Sequence, residues 1–256
     1  MLRKIILVVW MLVGLTAFCR SPAHGQQADS FATSAGPMSI TFIGHGTLLF
    51  DFAGKIVHID PVAKYADYAK LPKADIILIT HEHVDHLDPV AIREISTATT
   101  EVVGTAACRE KVPGIAVLAN AEKRIFAGIT VQAVPAYNLV HKREDGSPFH
   151  PKGRGNGYVL SFGDRKIYVA GDTENIPEML ELSGISIAFL PMNLPYTMTP
   201  AMAADAARSF LPKILYPYHY GDTDPEELVR LLAENKEIEV RFVLCVDVSG
   251  WAQRAV

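Results

Sequence analysis

Residues 78–88 read LITHEHVDHLD and place three histidines and two aspartates directly after the apolar run DIILIT. His81 and His83 alternate by two, and Asp85 and His86 follow in a turn. A strand end can therefore aim the first pair at one point and the second pair at a neighbouring one. Imidazole and carboxylate are the ligands that zinc and similar borderline cations prefer. The competing reading is a solvated polar loop, and for Asp88 that reading is accepted, because Asp88-Pro89 has the form of a helix cap. For His81, His83, Asp85 and His86 the density of the pattern favours a pair of metals.

The elements that must position these residues are legible as apolar runs between turns. MSITFIG, TLLFDFAG and KIVHID read as a meander with a turn at Ala53-Gly54,. DIILIT is apolar throughout, as in a strand buried on both faces. ITVQAVPA, GYVLSFGD and RKIYVAGD give three further strands, and ISIAFLP and KILYPYHYG alternate with helices toward the C-terminus. Asp88-Pro89, Thr199-Pro200 and Asp224-Pro225 each set a capping side chain before a proline, which predicts helices over PVAIREIST, PAMAADAARSF and PEELVRLLAEN,. Strands cluster in each half of the chain, and helices follow each cluster. Two packed sheets flanked by helices within one domain, an α+β arrangement, are expected.

THEHVDHLD resembles the H-x-H-x-D-H signature of the metallo-β-lactamase superfamily. The likeness extends through GHGTLLFDFAGKIVHIDP, IYVAGDTENIPEM and LYPYHYGD. It is nearest to the zinc-dependent hydrolases related to ascorbate-phosphate lactonases and N-acyl-phosphatidylethanolamine phospholipases. The resemblance implies a four-layer αββα sandwich with a dinuclear metal site on its edge. It matches His81 and His83 to the first metal, Asp85, His86 and His219 to the second, and Asp172 to the carboxylate that bridges them. Two divalent ions are implied, zinc first, with manganese or iron as alternatives.

The third ligand of the first metal departs from the broader pattern. Many relatives have a histidine soon after a strand ending in Pro-Ala, whereas VPAYN presents Asn138, whose amide is a poor zinc ligand. FHPKGRGNGYVL resembles the subgroup in which a later histidine serves, which selects His150. His141, in the charged segment LVHKREDG, reads as part of a solvated loop. His45, between Gly44 and Gly46, is expected to support the site from behind the ligands. His58 is expected to be packed or exposed according to strand period.

Two cations sharing a water lower its pKa toward neutrality and stabilise a developing oxyanion, so hydrolysis is the expected reaction, with Asp85 and Asp172 positioning the attacking oxygen. By the resemblance, true β-lactamases with an Asp-His second pair lack the bridging aspartate, so Asp172 favours phosphodiester, lactone or thioester bonds. HKREDGSPFHPKGRG, with Lys142, Arg143, Lys152 and Arg154, reads as a basic loop that recruits an anionic small molecule, Lys152 and Arg154 being the candidate contacts; ordinary loop solvation is the alternative. A catalytically inactive metal-binding protein of the same fold and a true β-lactamase remain the competing functions. A di-iron flavoprotein relative would need a further flavin domain.

Arg3 and Lys4, an apolar run and Ala23-His24-Gly25 together read as a signal peptide over residues 1–25, followed by a flexible polar leader over 26–37 and a hydrolase domain over 38–256,. Export to the periplasm or the exterior follows. Lipidation at Cys19 competes less well, because Phe18 is bulky, and the apolar run is short for a membrane anchor. Cleavage removes three basic residues and no acid, taking the net charge from −4 to −7. Such a surface offers no general attraction for a nucleic-acid backbone. Cys108 and Cys245 remain, and an exported protein could pair them, although Cys245 in RFVLCVDV reads as a small buried hydrophobe. Mass spectrometry of protein from the native cell should find a chain starting near Gln26; a dominant full-length species would refute export.

Overall fold

The computed structural model describes residues 27–242, so the signal peptide, Cys19, His24 and Cys245 lie outside the described residues. Each half of the chain builds one seven-stranded sheet, with its strands in sequence order across the sheet. The first sheet runs β1 (Ala28–Thr33), β2 (Gly36–Gly44), β3 (Thr47–Phe52), β4 (Lys55–Ile59), β5 (Ile76–Leu78), β6 (Glu101–Gly104) and β7 (Ala116–Val117). The second runs β8 (Lys123–Phe126), β9 (Ile129–Ala136), β10 (Gly155–Phe162), β11 (Arg165–Val169), β12 (Ile187–Pro191), β13 (Ile214–Tyr218) and β14 (Glu239–Val240). In both sheets the first four strands are antiparallel and the later ones parallel. Helices α1 (Pro89–Ile95) and α2 (Ala106–Lys111) follow strands of the first sheet, and α3 (Pro200–Phe210) and α4 (Pro225–Leu231) follow strands of the second.

Period-two alternation divides the apolar runs between layers. Ile76 and Leu78 of β5 face the central core between the sheets, while Ile77 and Ile79 pack with Ala91, Ile92 and Ile95 of α1. Ile187 and Phe189 of β12 also enter the central core, while Ala188 and Leu190 pack with Ala203, Ala204 and Ala207 of α3. The result is the expected four-layer αββα sandwich. All three proline-started helices form, with Asp88, Thr199 and Asp224 accepting from backbone N–H groups as caps. Helix α2 went unforeseen, although Thr105 caps it in the same way without a proline.

From residue 27 on, the expected leader over 26–37 is not free. Residues 28–33 form β1, paired to β2 from Ala28 opposite Thr41 to Thr33 opposite Gly36. Asp29 receives hydrogen bonds from Tyr216 and Arg241, and Ser34 N donates to Asp164 Oδ1. Its polar composition is that of an edge strand, whose order depends on a backbone partner that composition alone does not reveal. The turn at Ala53-Gly54 is a two-residue hairpin with both residues at positive φ, 48° and 89°, as a type I′ connection requires. Cys108 is buried against Thr105. Among the described residues, no helix is long and apolar enough to cross a membrane.

His58 is wholly buried in β4 and donates from Nε2 to Pro72 O at 3.0 Å, while its Nδ1 has no partner among the described residues. Burial drives its pKa down to about 4 from 6.5. The unfolded chain therefore takes up a proton below about pH 6.5 that the folded protein refuses until about pH 4. Stability contributed by neutral His58 is present above 6.5 and falls by about 1.4 kcal/mol per pH unit below it. Urea midpoints of the chelated protein at pH 7 and pH 5 should show a smaller drop for His58→Gln, which keeps a donor for Pro72. Equal drops would show that His58 does not carry this dependence.

Candidate metal centre

Strand ends from both sheets meet at one edge, and the motif residues gather there. His81 follows β5, Asp172 follows β11 and His219 follows β13, all beyond the carboxyl ends of parallel strands, where open sheets leave a crevice. His150 reaches the same point from the long connection between β9 and β10. The halves are joined locally by Asn156 N donating to Thr80 O at 2.8 Å and by His219 N donating to His45 O at 3.2 Å.

Three groups of side chains stand close enough to share an ion: His81, His83 and His150; His45, Asp85, His86 and His219; and His81, His86 and Asp172, with the potential ligand atoms of each group within 4.8 Å of one another. The structure thus brings together all seven ligands expected from the sequence. Asp172 lies between the first two groups. Its Oδ2 is 3.2 Å from His150 Nε2 and 3.9 Å from His81 Nε2, and its Oδ1 is 3.4 Å from His86 Nε2 and 3.5 Å from His219 Nε2.

The imidazoles are oriented from behind. Asp60, fully buried after β4, accepts from Thr80 N at 2.7 Å and from Thr80 Oγ1 at 2.6 Å, and His86 Nδ1 lies 2.7 Å from its Oδ2. Thr80 Oγ1 directs its single proton at Asp60, so it accepts from His81 Nδ1 at 3.0 Å. His81 Nε2 is then a buried lone pair with no hydrogen-bond partner among the described residues, and Asp172 Oδ1 likewise accepts no hydrogen bond. His86 and His219 present Nε2 atoms to one another at 3.1 Å. Ring nitrogens and a carboxylate that converge this closely, in a field that favours positive charge, fit a cation, and the residues present therefore fit the metals that the motif implies.

Charge leads to the same conclusion. Burial disfavours the His86 imidazolium, yet Asp172, Asp60 and Asp85 outweigh it and raise its pKa to about 9. Burial opposes ionisation of Asp172 and Asp85 as well. The surrounding histidines nevertheless hold Asp172 well below the usual carboxylate range, and His45 and His86 do the same for Asp85. His219 is driven down to about 3 by burial and stays neutral, a free donor of electrons.

Gly46 makes room for this packing, since a Cβ there would lie 2.8 Å from His86 Cε1. His45, at φ 53° in the same hairpin, places Nε2 3.1 Å from Asp85 Oδ2. That contact gives His45 the supporting position expected of it, with a ring nitrogen also near enough to the second group to join it.

The loop over the site differs from the sequence reading. Lys152 has its Nζ 2.8 Å from Glu178 Oε1, 3.2 Å from Tyr137 Oη and over the Tyr137 ring. Arg154 is clamped to Glu82, Nε and Nη2 lying 2.8 and 2.6 Å from Oε1. Both cations meet local carboxylates, and Arg154 also lines a small pocket with His81, His83, His150 and Asp172. Arg143 and Lys111 instead line the cavity of about 450 Å³ in front of the ligands, with Val84, Phe149, Asn193 and Tyr196 among its other walls. His141 is also not a solvated loop residue, since its Nδ1 is 2.7 Å from the buried carboxylate of Glu174.

Asn138 is no ligand either, but its Oδ1 accepts from His150 N and Nδ1, both at 2.8 Å. Asp60, Thr80, Lys111 and Glu174 were missed by reading the sequence for ligands. Asp60 and Glu174 stood in the quoted stretches KIVHIDP and AGDTE, and only their burial reveals their role.

The description "Beta-lactamase superfamily domain" applies to residues 39–219. A UPF0173 metal-dependent hydrolase of Pelotomaculum thermopropionicum is 31% identical over 222 residues, 80% of this chain and 96% of that protein. A crystal structure from Parabacteroides distasonis ATCC 8503, described as a metal-dependent hydrolase, is 49% identical with a TM-score of 0.81, covering 85% of this chain and 98% of that one. Igni18, a metallo hydrolase of Ignicoccus hospitalis, has a TM-score of 0.64 at 23% identity over 80% of this chain and 94% of its own, a likeness of fold. The chain belongs to the metallo-β-lactamase superfamily, among its metal-dependent hydrolases.

Proposed function

We propose that the protein is a dinuclear hydrolase that cleaves an ester-type bond, a phosphodiester, lactone or thioester, in a small anionic molecule after export from the cytoplasm. The observation that carries the dinuclear reading is the placement of Asp172, whose two oxygens each face a separate cluster of imidazole nitrogens. His81, His83 and His150 would hold one ion, and Asp85, His86 and His219 the other. Zinc suits this imidazole-rich set, and manganese or iron are the alternatives. Bound divalent ions would supply an activated water and polarise the scissile carbonyl or phosphoryl oxygen.

The chain's own contribution is orientation and selection. Asp172, held ionised, keeps a carboxylate between the clusters, and Asp85 also lines the cavity, steadied by His45. Arg143, whose guanidinium carbon lies 5.0 Å from the Phe149 ring centroid, is presented at the cavity as a cation on an apolar wall. Lys111 is fixed by donating to Glu82 O at 2.6 Å. Together they supply positive charge in front of a site otherwise rich in acids, which supports an anionic substrate. The cavity volume suits a small molecule rather than a polymer.

Elemental analysis of reconstituted protein should find about two ions per chain, and Asp172→Ala should weaken the second site more than the first; a single ion in wild type would overturn the dinuclear reading. His150→Ala should leave the first ion with two imidazoles and weaken it severely, whereas His141→Ala should leave metal content nearly unchanged. Metal lost from His141→Ala and retained by His150→Ala would show that the wrong histidine has been assigned. Hydrolysis of a panel of phosphodiesters, lactones and thioesters tests the reaction. The Arg143→Ala and Lys111→Ala variants should raise KM for anionic members by about tenfold or more, the loss of a charge-assisted contact.

A further inference from the structure

Glu174 has no exposed surface, yet it is a carboxylate and can only accept hydrogen bonds,. Its Oε2 accepts from Leu139 N and Val140 N, both at 2.6 Å, and its Oε1 accepts from His141 N at 2.7 Å and Asn138 Nδ2 at 3.1 Å. Despite burial, which favours the neutral acid, these donors hold its pKa below the usual range. Asn138 Nδ2 also donates to Tyr196 O at 2.9 Å. The amide of Asn138 therefore has one permitted orientation, nitrogen toward Glu174 and Tyr196, oxygen toward His150.

That orientation decides where His150 carries its proton. Asn138 Oδ1 has no proton to give, so the 2.8 Å contact with His150 Nδ1 requires Nδ1–H as donor. The neutral ring then carries its lone pair on Nε2, the nitrogen that faces Asp172 and the first cluster. We infer that Glu174 is a positioning residue for the first metal site, acting through Asn138 to keep the proton of His150 on Nδ1 and its Nε2 lone pair aimed at the ion. The inference rests on the dinuclear reading above. It assigns to a residue that touches no ligand atom the choice of tautomer at one that does, and hydrogen bonds of this outer kind typically alter metal affinity by about 10–100-fold.

A purely structural role, clamping residues 139–141, would predict something different, and a donor–acceptor exchange separates the two. Glu174→Gln preserves shape and leaves one oxygen for the loop N–H groups, but it sets an amide nitrogen against Asn138 Nδ2. Relief by rotation of Asn138 turns a donor toward His150 and favours the proton on Nε2. Adding Asn138→Asp restores the match at position 174 and at His150, because a carboxylate at position 138 accepts both from the new amide and from His150 Nδ1–H, although it gives up the hydrogen bond to Tyr196 O.

Zinc affinities of the full chain, resolved by chelator competition and accompanied by circular dichroism, test this. Glu174→Gln should weaken the first site by about 10–100-fold with the second site little changed, and the double variant should recover at least about tenfold of that loss. Wild-type affinity in Glu174→Gln, or no recovery in the double variant, would overturn the inference while leaving the dinuclear reading intact. Wild-type protein that binds no zinc at the first site would overturn both. Should Glu174→Gln not fold, the double variant decides: joint recovery of fold and first-site affinity supports the assignment, and its absence rejects it.

Discussion

A histidine can hold a metal only through a nitrogen that carries no proton, and in this protein that condition is met one hydrogen bond behind the metal centre. His81, His86 and His150 each direct Nδ1 at an oxygen, of Thr80, Asp60 and Asn138 respectively. Each oxygen is itself fixed: Thr80 by donating to Asp60, Asp60 by accepting from Thr80 N, and Asn138 by Glu174 and the backbone of His150. The rings consequently present Nε2 to two adjoining groups, His81 with His150 in one and His81 with His86 in the other. A set of unrestrained imidazoles would share protons among themselves, as the 3.1 Å approach of His86 and His219 shows they are close enough to do.

The fold makes those oxygens available by repeating one arrangement twice. In each half an antiparallel meander gives way to parallel strands, and parallel strands all end on the same side. Packing the two sheets face to face brings the two sets of carboxyl ends together at one edge. Asp60 and His81 come from the first half, Asp172 and His219 from the second. The approach is tight: besides Gly46 beneath His86, Gly157 lies where a Cβ would meet Ala170 O at 2.6 Å. Side chains at these positions would force apart backbones whose separation sets the distances between ligands.

This explains which features could be read from sequence. HEHVDH is contiguous, its spacing is set by one strand end, and the apolar runs and proline-started helices follow from local periodicity and capping. Asp172 and His219 sit beside strands of recognisable pattern. Asp60 and Glu174 are single acids whose meaning depends on contacts 20 to 36 residues away along the chain, and no local pattern distinguishes a buried carboxylate from a solvated one. The same limitation hid the carboxylate partners of Lys152 and Arg154, which are Glu178 and Glu82. It also hid β1, whose partner strand supplies the order that its composition lacks.

The buried acids also account for the electrostatic balance of the centre. An isolated carboxylate removed from water costs several kcal/mol, so Asp60 and Glu174 can persist only because each is surrounded by donors. Asp60 is compensated by Thr80 and His86 and Glu174 by Asn138 and three backbone N–H groups, all of them protein atoms. Asp172 differs. It is as buried as they are, but Oδ1 finds no hydrogen bond among the described residues, and its neighbours are ring nitrogens rather than fixed N–H donors. Protein atoms therefore satisfy the carboxylates that orient the site and leave unsatisfied the one at its centre, where a positive ion is the partner that restores balance.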